Sequence, residues 1–209
     1  MPLLPHSNLV RLFILLAILA GTAFGLYIHS KPEPLVGDIH THADFKVYLN
    51  GTAYDFAQEK YMSEEGSPLS PFAHLHDGDG TVIHKHMSGI TLGDFFESIG
   101  MKLSETCFTL DNGTTYCNDA ENTLKFFVNG KLNKKFDQYE FGDLDRLLLT
   151  YGDETEEELQ IQVQSVGDKA CIYSEQCPER GTPPDESSCT GATDGCLPAQ
   201  AHTHAENAG

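Results

Sequence analysis

The distribution of hydrophobic and polar residues predicts a β-hairpin and two further strands. Apolar and polar side chains alternate through residues 43–56 (ADFKVYLNGTAYDF), on both sides of Asn50-Gly51. An Asn-Gly pair between two alternating runs predicts a hairpin, because both residues accept the left-handed backbone of a tight turn. The apolar runs 124–128 and 146–151 predict two more strands, and the second is apolar enough for the centre of a sheet.

A short amphipathic helix is predicted between these strands. Thr91 and Asp94 have the spacing of a capping box, and apolar residues follow at helical spacing as far as Gly100, which suits the position after a helix C-terminus. Residues 154–166 fit two structures, because three apolar positions alternate as in a strand while the first turn is acidic. We favour a helix there, since acidic side chains stabilise a helix N-terminus.

Residues 12–28 (LFILLAILAGTAFGLYI) form an uncharged apolar run near the N-terminus. This run is long enough to span a bilayer and longer than the apolar region of most signal peptides. We therefore expect residues 1–30 to be an uncleaved signal anchor, a single transmembrane helix, and 31–37 a linker. Everything after about residue 36 then lies on the extracytoplasmic side of a cell membrane. A cleaved signal peptide is the alternative.

Composition narrows the partners of the remaining chain. The 209 residues are 40% hydrophobic, which is enough for a core, and the net charge is −18. Such an acidic chain is a poor match for nucleic acid, whose phosphates need clustered Lys and Arg. We expect an extracytoplasmic α+β domain over residues 38–167 and a Cys-rich tail over 168–209, with a mobile C-terminus.

The cysteines agree with export. All six follow the apolar run, and none forms a Cys-x-x-Cys pair, so structural disulfides are expected. A three-residue loop over 111–113 places the first two directly opposite each other, which predicts Cys107–Cys117. The other four allow three connectivities. The residues expected in disulfides are Cys107, Cys117, Cys171, Cys177, Cys189 and Cys196.

The order of predicted elements resembles the β-grasp, or ubiquitin-like, layout. Residues 124–151 (LKFFVNGKLNKKFDQYEFGDLDRLLLTY) carry most of this resemblance, including a polar turn before the last strand. It implies an α+β fold with a small β-grasp-like mixed sheet and one packed helix. We expect a His-rich β-hairpin inserted into it and an irregular, disulfide-stapled C-terminal tail after it.

Histidine carries the candidate chemistry. Eight of the ten occur as His-x-His pairs, and residues two apart on a strand face the same side, where two imidazoles can chelate one ion. Copper or zinc suits an all-imidazole site, and the affinity order favours copper. His202 and His204 lie in the tail, so we assign the metal site to the other three pairs. The predicted ligands are His40, His42, His74, His76, His84 and His86.

The loop between the two middle pairs decides whether they meet. Residues 72–86 (FAHLHDGDGTVIHKH) read as a hairpin. A two- or four-residue loop places His74 opposite Ile83, on the face away from the second pair. A three-residue loop, with Gly80 in a left-handed bulge, places His74 opposite His84 and all four imidazoles on one face. We expect the three-residue loop.

Four segments together resemble a family of membrane-anchored, exported, His- and Cys-rich prokaryotic proteins, some of them loosely labelled protein-disulfide isomerase. The segments are HTHADFKVYLNG, AHLHDGDGTVIHKH, TLGDFF and CIYSEQCPERGTPP. The resemblance implies an anchored, exported protein, and the label implies thiol–disulfide exchange.

Three classes of function follow. The first is a metal-binding module for copper or zinc storage, delivery or scavenging, with Asp44, Asp77 and Asp79 as acceptors for imidazole N–H groups. The second is an enzyme, either a thiol–disulfide oxidoreductase or a metal-dependent one, since HTHAD matches part of the metallo-β-lactamase pattern. The third is a structural subunit that assembles with a membrane or cell-surface protein. We favour the binding module over an enzyme and assign no catalytic residue.

Overall fold

A computed structural model describes residues 39–63 and 69–183. The predicted anchor over residues 12–28 lies outside these ranges, as do Cys189, Cys196, His202 and His204. Within them, no helix is long and apolar enough to cross a membrane.

The described residues form one large mixed sheet and one small sheet, so the fold is α+β, as predicted. The strands are β1 (Thr41–Leu49), β2 (Thr52–Ala53), β3 (Ala73–His74), β4 (Val82–Lys85), β5 (Lys102–Leu103), β6 (Cys107–Thr109), β7 (Thr115–Cys117), β8 (Thr123–Val128), β9 (Lys131–Asn133) and β10 (Arg146–Gly152). The large sheet has the order β3-β4-β1-β10-β8-β9, with β2 paired to β1, and the small sheet has the order β5-β6-β7. β1 and β10 are parallel neighbours, and the other pairs are antiparallel.

Two predicted helices are present, the first of them with its predicted capping box. The helices are α1 (Leu92–Ser98), α2 (Glu156–Ser165) and α3 (Ala170–Tyr173), and 3-10 turns occupy Glu59–Tyr61, Phe136–Gln138 and Pro178–Arg180. Thr91 and Asp94 form the capping box of α1, and Gly100 follows it at φ +79°. Thr155 and Glu158 form a second capping box, so the ambiguous segment is a helix.

The alternation along β1 separates the two faces of the sheet. Ala43, Phe45 and the following odd-numbered residues join the hydrophobic core, and the ring of Phe45 packs 5.4 Å from that of Phe95 in α1. The even-numbered residues point to the opposite face. There Lys46 donates to the Ser165 carbonyl at the end of α2. One face of β1 therefore builds the core, and the other is covered by the C-terminal segments.

The His-rich hairpin has the predicted register but not the predicted turn. His74 lies opposite His84, as expected. The left-handed residues, however, are Asp77 (φ +56°) and Gly78 (φ +71°), and Gly80 is not among them. The expected bulge at Gly80 is therefore wrong. Gly80 instead allows a close approach, because a Cβ there would overlap the backbone of Phe56 and Ala57.

Gly80 should consequently tolerate a side chain less well than its neighbour Gly78. We expect Gly80→Ala to lower the free energy of unfolding by about 3 kcal/mol, since the overlap is with backbone that cannot rotate away. Gly78→Ala, whose Cβ meets open space, should cost about 1–2 kcal/mol through its left-handed backbone alone. Urea unfolding of both variants measures the difference, and equal losses would contradict this role of Gly80.

Two disulfides are present among the described residues. Cys107 pairs with Cys117 across β6 and β7, and Gly113 supplies the left-handed residue of the three-residue loop. This pairing was predicted. Cys171 pairs with Cys177, which selects one of the connectivities that spacing left open.

Candidate metal site

Pairing of three strands aligns the central histidines. His42 on β1 and His74 on β3 both lie opposite His84 on β4, from its two sides. Because residues two apart face the same side, His40 and His86 lie beside this row on the same face. Three separate segments of the chain thus contribute to one surface of the sheet.

All six predicted ligands meet in one cluster. The ring centroids of His76 and His84 lie 3.8 Å apart, and those of His42 and His84 lie 4.7 Å apart. His40 is 4.7 Å from both His42 and His86, and His86 is 5.0 Å from His74. Every ring therefore has an imidazole neighbour within this array.

Most of the cluster is buried. His42, His74, His84 and His86 expose 3% of their surface or less and His76 exposes 8%, whereas His40 is exposed. The pKa of His84 lies well below its ordinary value, first because its ring is buried and then because the neighbouring imidazoles would repel its charge. A neutral imidazole is the form that binds a metal ion.

The lowered pKa of His84 predicts how the stability of the metal-free protein depends on pH. Below about pH 6.5, the ordinary pKa of histidine, His84 binds a proton in the unfolded chain. In the folded protein the same residue binds that proton less readily, because its pKa is lowered. The free energy of unfolding should therefore fall as pH decreases from 7.5 to 5.5. Urea titrations without metal measure this slope, and His84→Gln should make it shallower. Equal slopes in the wild type and in His84→Gln would contradict the assignment of this pH dependence to His84.

Hydrogen bonds fix the tautomers of two ligands. His74 Nδ1 lies 2.9 Å from the carbonyl oxygen of Ser70, which can only accept, so Nδ1 carries the proton. His76 Nδ1 donates in the same way to Asp77 Oδ2 at 2.7 Å. The lone pair of each ring is then on Nε2. An acceptor behind the ring orients a metal-binding histidine and raises its basicity.

A longer relay orients His42. The Ser174 hydroxyl donates to Asp143 Oδ1, so its oxygen accepts from His42 Nδ1, 2.7 Å away. Asp143 Oδ1 also accepts from the backbone N–H of His42 at 3.0 Å. One carboxylate thus holds both the backbone and, through Ser174, the ring of this residue, and the lone pair of the neutral ring is on Nε2.

Three of the histidines lie close enough together that they could hold a metal ion after small rotations. Among the described residues, His40, His42 and His84 place ligand nitrogens within 4.8 Å of one another. Two nitrogens bound to one ion at about 2.0–2.1 Å each are at most about 4 Å apart, so small side-chain rotations are needed. The exposure of His40 allows such rotation. His74, His76 and His86 lie next to this triad.

The start of the C-terminal tail covers the cluster. The Tyr173 ring lies 4.8 Å from that of His84 and 5.6 Å from that of His42.

Buried Asp44 accepts hydrogen bonds from the backbone N–H groups of Lys169 and Ala170, at 2.8 and 2.9 Å, and so caps α3. Burial raises the pKa of Asp44, against the lowering effect of those two hydrogen bonds.

The carboxylates divide between different roles. Asp77 contacts an imidazole, as predicted, but Asp44 binds the backbone of α3. Asp79 accepts from Lys169 and Tyr173, each at 3.2 Å. Sequence reasoning missed Tyr173, Ser174 and Asp143, which lie far from the histidines along the chain. Their positions offered no spacing pattern, although Asp143 belongs to the polar turn noted before the last strand.

Comparison with protein-family models, curated proteins and solved structures gives no match to this chain. Its function therefore has to be inferred from the chemistry of its own site.

Proposed function

We propose that this protein binds a copper(II) or zinc ion through its His cluster and stores, delivers or scavenges that ion outside the cytoplasm. The observation that carries the proposal is the convergence of six imidazoles from three segments into one largely buried array. Imidazole is a good ligand for both ions, and the affinity order favours copper.

His40, His42 and His84 are the proposed direct ligands of a first ion, since their ligand atoms all lie within 4.8 Å of one another. The relay behind His42 supports this, because it engages Nδ1 and leaves the lone pair of the neutral ring on Nε2. His74 and His76 have their Nδ1 atoms engaged in the same manner and supply further ligands at the adjoining positions.

A carrier suits the surroundings better than a metal-dependent enzyme. A catalytic zinc keeps one coordination position open to water or substrate, whereas the Tyr173 ring packs against His42 and His84, the two buried members of the triad. Asp44, which the metallo-β-lactamase pattern would make a ligand, has both carboxylate oxygens directed at backbone amides. The proposal therefore assigns no acid or base to the site.

We also infer a β-grasp-like arrangement and a membrane-anchored location. The central parallel pair β1–β10, flanked by antiparallel β4 and β8 with Phe95 of α1 packed on Phe45 of β1, supports the first inference. The apolar run 12–28 supports the second. A membrane or cell-surface protein that donates or accepts the ion is the expected partner.

Elemental analysis of the full-length chain, purified without a His tag or chelator, tests the proposed function. We expect at least one equivalent of copper or zinc to remain bound after gel filtration. Deleting residues 198–209, which removes His202 and His204, should leave that content unchanged. A wild-type protein that retains neither ion after incubation with excess copper or zinc would refute the proposal. If the wild type retains the ion and the variant without residues 198–209 does not, the site lies in the tail.

A further inference from the structure

A disulfide closes the loop that covers the His cluster. Tyr173 and Ser174 both contact the cluster, and both lie inside the loop that Cys171–Cys177 closes. Within this loop the amides of Gln176 and Cys177 donate to the carbonyl of Cys171, at 2.8 and 3.2 Å. The residues that shield and orient the proposed ligands are thus part of one covalently closed unit.

This unit depends on the disulfide for its structure. Helix α3 has four residues, far fewer than an isolated helix needs for stability. Asp44 holds its first turn, and Asp79 contacts Lys169 and Tyr173. Ser174 lies beyond these anchors and hydrogen-bonds to Asp143 and His42, and the disulfide adds a covalent constraint on the second half of the loop.

The surroundings of the sulfur atoms favour reduction. Arg180 Nη1 lies 3.3 Å from Cys171 Sγ, and its guanidinium is held by the Asp168 carboxylate at 2.8 Å. A neighbouring cation stabilises a thiolate, and stabilising the reduced form raises the reduction potential of a disulfide. Cys171 is partly exposed, whereas Cys177 is 7% exposed, so an external thiol has access to Cys171.

We propose that the Cys171–Cys177 disulfide is a redox latch on the metal site, opened by a dithiol reductant of the thiol–disulfide exchange class. Opening it frees Tyr173 and Ser174 from His84 and His42 and speeds release of the bound ion. This inference rests on the proposed function and adds its regulation.

The exchange balances as a two-electron transfer. A thiolate of the reductant attacks Cys171 Sγ, the S–S bond breaks, and Cys177 leaves as a thiolate that takes up a proton. The second thiol of the reductant then attacks the mixed disulfide, and Cys171 leaves as a thiolate beside Arg180. The reductant ends as a disulfide, and the chain as a dithiol.

Zinc release from the full-length chain tests the latch, because zinc itself has no redox chemistry. We compare Cys171→Ser/Cys177→Ser with Cys107→Ser/Cys117→Ser, whose disulfide lies in the small sheet that contributes no histidine. Capture of zinc by excess chelator should be at least about ten-fold faster from the first variant than from wild type, and unchanged in the second. Equal rates in all three proteins would overturn the latch while leaving the proposed function intact. A wild-type protein that binds neither zinc nor copper would refute both.

A redox titration tests the latch without any metal. In glutathione buffers, alkylation and mass spectrometry report which disulfide opens first. We expect Cys171–Cys177 to be at least about ten-fold easier to reduce than Cys107–Cys117, and Arg180→Gln to narrow this difference. A Cys171–Cys177 pair that is the more resistant of the two would overturn the proposal, whatever the zinc measurements give.

Discussion

Replacing both His40 and His42 with alanine should weaken the binding of zinc or copper by at least about 100-fold, since even the loss of groups that only orient ligands costs 10–100-fold. The double substitution removes two of the three nitrogens that lie within 4.8 Å of one another. Among the described residues, no other three His, Cys, Asp or Glu side chains bring their ligand atoms this close together. Competition with a chelator of known affinity measures the change.

The matched control is His202→Ala/His204→Ala, which removes a His-x-His pair of the same spacing from the tail and should leave the affinity unchanged. Because His42 is buried, its loss also affects folding. The single variant His40→Ala avoids this, since His40 is exposed, and it should retain the stability of the metal-free protein while binding zinc about ten-fold more weakly. Loss of binding in the tail variant but not in His40→Ala/His42→Ala would contradict the assignment.

Asp44→Ala should lower the free energy of unfolding by about 3 kcal/mol, because it leaves two amide donors without their charged acceptor and uncaps α3. Asp44 is 1% exposed, so water cannot replace the carboxylate without rearrangement. Urea unfolding of the metal-free protein measures this loss.

The control for Asp44 is Asp153→Ala at an exposed position, which should change stability by less than about 0.5 kcal/mol. Folded Asp44→Ala protein should still bind one equivalent of metal at low temperature, because Asp44 is not a ligand. A variant of wild-type stability that has lost metal binding would instead make Asp44 a ligand and favour the enzyme interpretation.

Features fixed by neighbouring residues were predictable from the sequence. The capping box at Thr91, the Asn50-Gly51 turn and the Gly113 loop each depend on a few adjacent side chains and backbone preferences. The register of the His hairpin was predicted for the wrong reason. Gly80 is required by its contact with Phe56 and Ala57, which no local pattern reveals.

The remaining parts of the site depend on contacts between distant segments. The pairing of β1 with β4 brings His42 opposite His84, although the two lie on separate segments of the chain. Ser174 and Asp143 reach His42 from segments far away in sequence. Residue types showed which side chains could bind a metal, but packing alone determines which groups orient and cover them.

Anomalous diffraction from crystals of the full-length chain loaded with zinc or copper tests the central claim most directly. The account predicts a metal peak bonded to nitrogens of His40, His42 and His84 at about 2.0–2.1 Å, beneath Tyr173. A peak held by tail residues, by carboxylates or by sulfur, or no peak at the His cluster in metal-loaded crystals, would contradict it.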